Sequence, residues 1–168
     1  MTLQPYVRSE HEQETITWLG NSTVSVLLDS AATGGQLMVT RADGRQGDAA
    51  PVHVHEREDE SFLILDGTMT VWVGADRYEA GAGGICMLPR GIPHTYRVTS
   101  ATATWLNLCT PAGLEQALRE AGWTQGTPPP DWAITPQAIG AAMAKVGVAI
   151  LAPPLAADAL TIPMPPTS

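Results

Sequence analysis

The chain has no cluster of lysine or arginine and little positive charge of any kind. Nine Lys and Arg stand against 17 Asp and Glu in 168 residues, a formal net charge of −8. Nucleic acid and anionic membrane surfaces both need a basic patch facing them, so neither is expected as a partner. An apolar run fit to cross a membrane is also lacking. The one stretch that raises the question, Ala138 to Ala157, is mostly Ala and Gly, carries Lys145 near its middle and runs into Pro153-Pro154, which is no transmembrane pattern. From Met1 to Glu14 the chain is polar and acidic, with no basic segment leading into an apolar one. No secretory signal peptide is therefore expected, and a cytoplasmic location follows. Cysteine is scarce too: Cys86 and Cys109 sit in separate apolar runs and form no C-x-x-C pair, which reads as two buried, reduced thiols.

What is present suits one globular domain with a core of its own, since 44% of residues are apolar and 15% charged. Short β-like runs recur through the first 110 residues, separated by Gly, Pro, Asp and Asn: Glu14–Trp18, Thr23–Leu28, Gln36–Arg41, Pro51–His55, Ser61–Leu65, Thr68–Val73, Arg77–Glu79, Ile85–Leu88, His94–Val98 and Thr102–Cys109. Several alternate with a two-residue period, and ten strands so spaced predict an all-β antiparallel barrel or sandwich. Asp66-Gly67 between two of the runs is a two-residue hairpin signal. The Gly81, Gly83 and Gly84 group, with no helix after it, is a turn and not a phosphate loop.

After Thr110-Pro111 the pattern changes. Gly113 to Trp123 places Leu114, Leu118 and Ala121 at helical spacing, with Gly122 as a stop. Gly126 to Asp131, with Pro128-Pro129-Pro130, reads as an extended connector. A second helix fits Pro136 to Val146, with Thr135 as cap and Ile139, Met143 and Val146 on one face. Both helices are expected on the outside of the barrel, and the tail from Pro163 is expected to fray. The organisation is thus N-terminal strands over 1–35, a barrel core over 36–110, and helices with a Pro-rich tail over 111–168.

Three of the four histidines lie in two short segments. In the first, Gly47 is followed by His53, Val54, His55, Glu60 and Gly67; in the second, Gly83 is followed by Pro89-Arg90-Gly91 and His94. Residues i and i+2 of a strand share a face, so His53 and His55 present two imidazoles to one side and Val52 and Val54 supply the other. His94, on a strand after the turn, could add a third. The carboxylate is less determined. On a straight strand Asp59 would share the parity of His53, but the run Glu56–Glu60 is entirely charged and reads as a bend, beyond which Glu60 opens a new strand beside apolar Phe62 and Ile64. A carboxylate there would be costly without a partner or a metal, and Asp59 remains the alternative. His11, in the polar N-terminal segment, reads as solvated.

These two segments resemble the paired signature of the cupin superfamily, over roughly Ala42 to Cys109. The resemblance implies a double-stranded β-helix (jelly-roll) barrel with short C-terminal helices, binding one divalent transition metal ion per chain (Ni, Mn, Fe, Co, Cu or Zn) through His53, His55, Glu60 and His94. One departure is Val98, where the family's second motif commonly closes with Asn. More narrowly, Pro51–Glu60, Leu88–His94, Thr110–Gly113 and Ala144–Pro154 are similar to actinobacterial single-domain cupins related to quercetin dioxygenase. That resemblance implies an oxygen-dependent ring cleavage of a flavonol-like or other enolisable aromatic substrate. The metal would acidify the substrate hydroxyl and Glu60 would act as catalytic base. Phe62, Met87, Tyr96 and Trp105, taken as inward-facing strand positions, are the candidates for lining the substrate pocket. The alternatives are a non-oxidative, metal-dependent cyclase or isomerase of small-molecule biosynthesis and a metabolite-binding cupin without turnover. The partners are then a small-molecule substrate and O2, and the resemblance also implies a homodimer paired through edge strands.

Overall fold

The computed structural model describes residues 3–163. In chain order they form β1 (Glu14–Thr17), β2 (Thr23–Leu28), the single turn α1 (Ser30–Thr33), β3 (Met38–Arg45), β4 (Val52–His55), β5 (Asp59–Asp66), β6 (Thr68–Val73), β7 (Asp76–Gly81), β8 (Ile85–Leu88), β9 (His94–Val98), β10 (Thr102–Thr110), α2 (Leu114–Ala121), α3 (Pro136–Lys145) and β11 (Val148–Ala152). Each of the ten β-like runs is a strand, with ends displaced by a few residues. The strands make two sheets, one ordered β1-β2-β3-β10-β5-β8 and the other β11-β4-β9-β6-β7, and every pairing in them is antiparallel. This is the expected all-β jelly-roll barrel with short helices. The fraying expected beyond Pro163 falls on residues outside those described.

The two-residue period decides which side chains reach the interior. Met38, Thr40 and Ala42 of β3 and Glu60, Phe62 and Ile64 of β5 are buried, while the residues between them are only partly covered. Inward residues of both sheets, including Met69, Val71 and Leu88, belong to a single buried apolar cluster. On β4 and β6 the opposite face is covered as well. Val52 and Trp72, both 0% exposed, pack with Ile162, and the Trp72 indole N–H donates to the Ala159 carbonyl at 2.9 Å. The Arg97 guanidinium donates to the Leu155 carbonyl at 3.0 and 2.6 Å. The chain after β11 therefore straps the back of the strand that carries His53 and His55.

Two expectations are corrected here. Asp66-Gly67 joins no hairpin: β5 pairs with β10 and β8, whereas β6 pairs with β9 and β7, so the chain crosses from one sheet to the other at this point. Glycine is required there for two reasons. Its φ is +78°, and a Cβ would lie 2.2 Å from the Thr102 carbonyl oxygen, an approach that only a residue without a side chain allows. Secondly, the apolar stretch around Ala144–Pro154 contains a strand as well as the end of a helix. β11 pairs with β4, setting Ile150 opposite His53 and Val148 opposite His55.

The helices form much as the spacing indicates. Thr135 Oγ1 accepts from the Ala138 N–H at 3.1 Å with Pro136 in the first turn of α3, and Ile139 and Met143 are buried. Leu114, Ala117 and Leu118 are the buried residues of α2's apolar stripe. Their placement differs from the expectation. They do not merely pack on the outside, for their apolar faces belong to the same cluster as the barrel interior. No helix among the described residues is long and apolar enough to cross a membrane.

Candidate metal centre

The strand β4 holds His53 and His55 on one inward face, and β9 sets His94 directly across from His53. The β8–β9 turn is tied to the same strand, because the Gly91 N–H donates to the His55 carbonyl at 2.8 Å. Glu60 approaches from the other sheet. The chain bends at Glu56-Arg57 and pairing resumes at Asp59, which resets the parity and turns Glu60 inward. Asp59 turns outward instead, and its carboxylate takes the Arg90 backbone N–H at 3.0 Å and the guanidinium at 3.1 and 2.7 Å. Of the two acidic candidates, Glu60 is the one beside the histidines.

The Glu60 Oε2 atom lies 3.1, 3.9 and 4.0 Å from the Nε2 atoms of His94, His55 and His53. One donor atom from each of the four residues falls within 4.8 Å of all the others. His53 is partly covered and the other three are buried. Donors that share one first-row ion at about 2.0–2.2 Å each are separated by such distances. The fit is also chemical. The buried His55 Nε2 has no hydrogen-bond partner, and an unpaired polar atom at 0% exposure calls for a ligand.

The outer nitrogens of the three rings all face away from the centre, two of them in hydrogen bonds. His53 Nδ1 lies 2.8 Å from the Pro51 carbonyl and His94 Nδ1 2.9 Å from the Ile92 carbonyl. A carbonyl can only accept, so both rings carry their proton on Nδ1 and direct the Nε2 lone pair inward. His55 Nδ1 faces the Glu58 carboxylate at 3.4 Å, with both side chains buried. On the opposite side, the Asn107 amide N–H donates to Glu60 Oε1 at 2.7 Å, leaving Oε2 toward the histidines. Glu58 and Asn107 were not singled out in the sequence. Nothing in it shows that β10 brings Asn107 to Glu60, and Glu58 is one acid in a charged run.

Burial, and then the neighbouring His94, push His53 down to about 3, so its ring is neutral near pH 7. For Glu60 burial acts upward, but the close approach of His94 and the fields of His55, His94 and His53 outweigh it and hold the carboxyl at about 2. Burial alone would lower His55; Glu58 and Glu60 turn the net shift upward. A neutral imidazole and an ionised carboxylate are the forms in which these groups bind metal. Cys109 stays a thiol, raised first by burial and then by Glu60, and both cysteines are free. His11 is exposed, in the N-terminal turn.

The four residues expected to line the pocket are dispersed. Phe62, Tyr96 and Trp105 form an edge-to-face chain with ring centroids 5.5 and 5.2 Å apart. They fill the barrel interior as core. Met87 is 56% exposed on the outer face of β8, because Glu60 pairs with Leu88 and Phe62 with Cys86, so the inward parity of β8 falls on Cys86 and Leu88. None of the four borders the cavity at the metal-ligand side. That cavity, of about 70 Å³, is bounded by His53, His55, Glu60 and Asn107 on one side and by Leu114, Leu118, Ile139 and Met143 of the two helices on the other.

With this geometry in place, relatives can be compared. Residues 43–109 match the family model for a Cupin domain. The quercetin 2,3-dioxygenase of Bacillus subtilis (strain 168) is 32% identical over 96 residues, covering 57% of this chain and 28% of that protein. The aligned part is thus well under a third of that relative's length. Among solved structures, KdgF from Halomonas sp. superposes with a TM-score of 0.60 at 15% identity, covering 67% of this chain and 98% of that one. The polyketide cyclase RemF from Streptomyces resistomycificus does so with a TM-score of 0.56 at 19% identity, covering 64% and 80%. Identities this low speak to the fold alone. The family match and the Bacillus relative support the cupin superfamily.

Proposed function

Taking the cupin domain at residues 43–109 as premise, we propose that this protein is a metal-dependent dioxygenase acting on an enolisable hydroxy or oxo compound. The observation that carries the proposal is the joining of three imidazoles and one carboxylate, Glu60, with His53, His55 and Glu60 bordering a largely apolar cavity. A divalent transition metal held by His53, His55, Glu60 and His94 would supply Lewis acidity toward a substrate hydroxyl and, for a redox-active ion, access to oxygen chemistry. The remaining work belongs to the chain. Glu60, kept ionised, accepts the hydroxyl proton at Oε2, while Asn107 holds Oε1 and so fixes which oxygen is presented. Pro51 and Ile92 hold His53 and His94 in one tautomer through turnover. The apolar wall from the two helices keeps water from the anion so formed, where low polarity strengthens each polar contact that remains. The Bacillus relative is a quercetin 2,3-dioxygenase, which supports an oxygen-dependent reading, and quercetin is therefore tested side by side with smaller enols.

The test is oxygen uptake by protein loaded separately with Ni, Mn, Co or Fe, with quercetin and with smaller enols, beside Glu60→Gln. Uptake in the wild type that falls at least about 100-fold in the variant is expected, a loss of the size that general-base catalysis supplies. Turnover of a substrate by the zinc form with no oxygen consumed would replace the dioxygenase with the non-oxidative cyclase or isomerase.

A further inference from the structure

We infer that the α2–α3 pair is a size filter over the metal centre, and that the substrate is a small, largely apolar molecule carrying its oxygens at one end and no more than one negative charge. The inference rests on the metal and base assigned under the proposed function, but it is argued from the walls of the cavity and not from the reaction.

The space beside His53, His55 and Glu60 is about 70 Å³. One water needs about 10–15 Å³ of such space, so the cavity holds roughly five to seven water-sized groups. Sites that enclose drug-sized ligands run to about 300–1,000 Å³. A flavonol, with a fused bicycle and a further ring, belongs to the second class. The walls are equally specific about polarity. Away from the metal donors and Asn107 they are apolar, Trp18, Leu114, Leu118, Ile139, Met143 and Ile150 among them, with no lysine or arginine in the lining. A phosphate or dicarboxylate would leave charge buried against hydrocarbon with nothing to pair it. The oxygens of a bound molecule must therefore lie at the end where the imidazoles and Glu60 converge.

The helical wall is fastened. Arg119 of α2 donates to Glu14 at 2.8 Å and to Asp29 at 2.8 Å. The buried Glu115 accepts from the Gly113 N–H at 2.9 Å and the Ser30 N–H at 3.1 Å. These contacts hold α2 to β1 and to the segment around α1, so the wall is part of the fold. A wider groove of about 650 Å³ between the outer strands β7 and β8, lined by Tyr78, Ile85 and Met87 among others, contains none of the four metal donors. It offers a large substrate no route to the chemistry.

The test uses metal chelators graded in size that bind without oxygen. The full chain is loaded with Co(II), kept under nitrogen, and titrated with acetohydroxamate, benzohydroxamate and quercetin while the visible d–d spectrum is read. Acetohydroxamate is expected to shift the spectrum at concentrations at least about tenfold lower than the two larger ligands, which must displace the wall. Leu118→Ala with Met143→Ala should bring benzohydroxamate to within about threefold of acetohydroxamate by removing side-chain volume. Should the pair fail to fold, Met143→Ala alone must narrow the gap. Quercetin binding to the wild type as tightly as acetohydroxamate would overturn the inference, as would variants that leave the preference unchanged. Because these probes need no oxygen, failure of small enols to drive oxygen uptake would defeat the dioxygenase reading and leave the size filter standing.

Discussion

Replacing Glu58 by glutamine keeps the volume and an accepting oxygen at the end of the side chain and removes only the charge. In the structure this carboxylate is 0% exposed, stands 3.4 Å from His55 Nδ1 and has no hydrogen-bond partner for either oxygen. Its influence therefore runs through one imidazole. A carboxylate behind a ligating ring makes the inner nitrogen a stronger donor, and loss of such partners costs about 10–100-fold in metal affinity. With the acceptor retained, Glu58→Gln belongs at the lower end, a factor of about ten or about 1.4 kcal/mol. At saturating metal the stabilisation contributed by binding falls by that same amount. For a chain of this size it corresponds to a loss of about 3–6 °C in the metal-induced rise of Tm. Glu58→Ala, which removes the facing carboxylate and its volume altogether, should approach the hundredfold end. Affinity is read by competition with a chromophoric chelator and Tm by calorimetry with and without metal. The reasoning is refuted if Glu58→Gln binds metal within twofold of the wild type while its apo form keeps the native circular dichroism spectrum.

Three further outcomes are expected. Gly67→Ala should destabilise by at least about 2–3 kcal/mol in chemical denaturation, because the new Cβ meets the Thr102 carbonyl 2.2 Å away at a positive φ. Arg90 holds the Asp59 carboxyl down at about 2, through side-chain and backbone hydrogen bonds; in Arg90→Gln the carboxyl should titrate nearer its ordinary value of about 3.9, followed by NMR. The sign follows from the depressed value: the pair adds stability above the unfolded-state pKa and loses it as pH falls toward about 2, so the variant should show a shallower acid loss than the wild type. Trp72→Phe removes the bond to the Ala159 carbonyl; it should cost about 1 kcal/mol and increase proteolytic cleavage between 153 and 162, seen by mass spectrometry.

The strands and the site were legible to different depths. Alternation marked β1 to β10 because each has one face in the core, and the i, i+2 spacing gave the shared face of His53 and His55 directly. The bend at Glu56-Arg57 was readable from charge alone. What failed depended on pairing between distant segments. Asp66-Gly67 has the chemistry of a tight hairpin, but a positive φ serves a crossing between sheets equally well, and only the partners of β5 and β6 decide. β11 escaped because its apolar residues continue a helical stretch rich in alanine, and its strand form comes from the free edge of β4. The parity of β8 placed Met87 outside, since it depends on how the glycine turn at 83–84 delivers the chain. The position of α2 and α3 over the histidines has no local signature either, for amphipathic spacing says that a face is buried and not against what.

The division of the four donors between two sheets has one more consequence. His53, His55 and His94 ride on adjacent strands of a single hydrogen-bonded layer, two of them with their tautomer fixed by a carbonyl two residues back along the chain. Glu60 belongs to the facing layer, where Asn107, Cys109 and the imidazoles contact its carboxylate. Breathing between the layers would leave the tripod of rings intact and move the carboxylate alone. In the proposed reaction this arrangement would let Glu60 serve as a hemilabile arm, swinging free to carry a proton while the rings hold the ion.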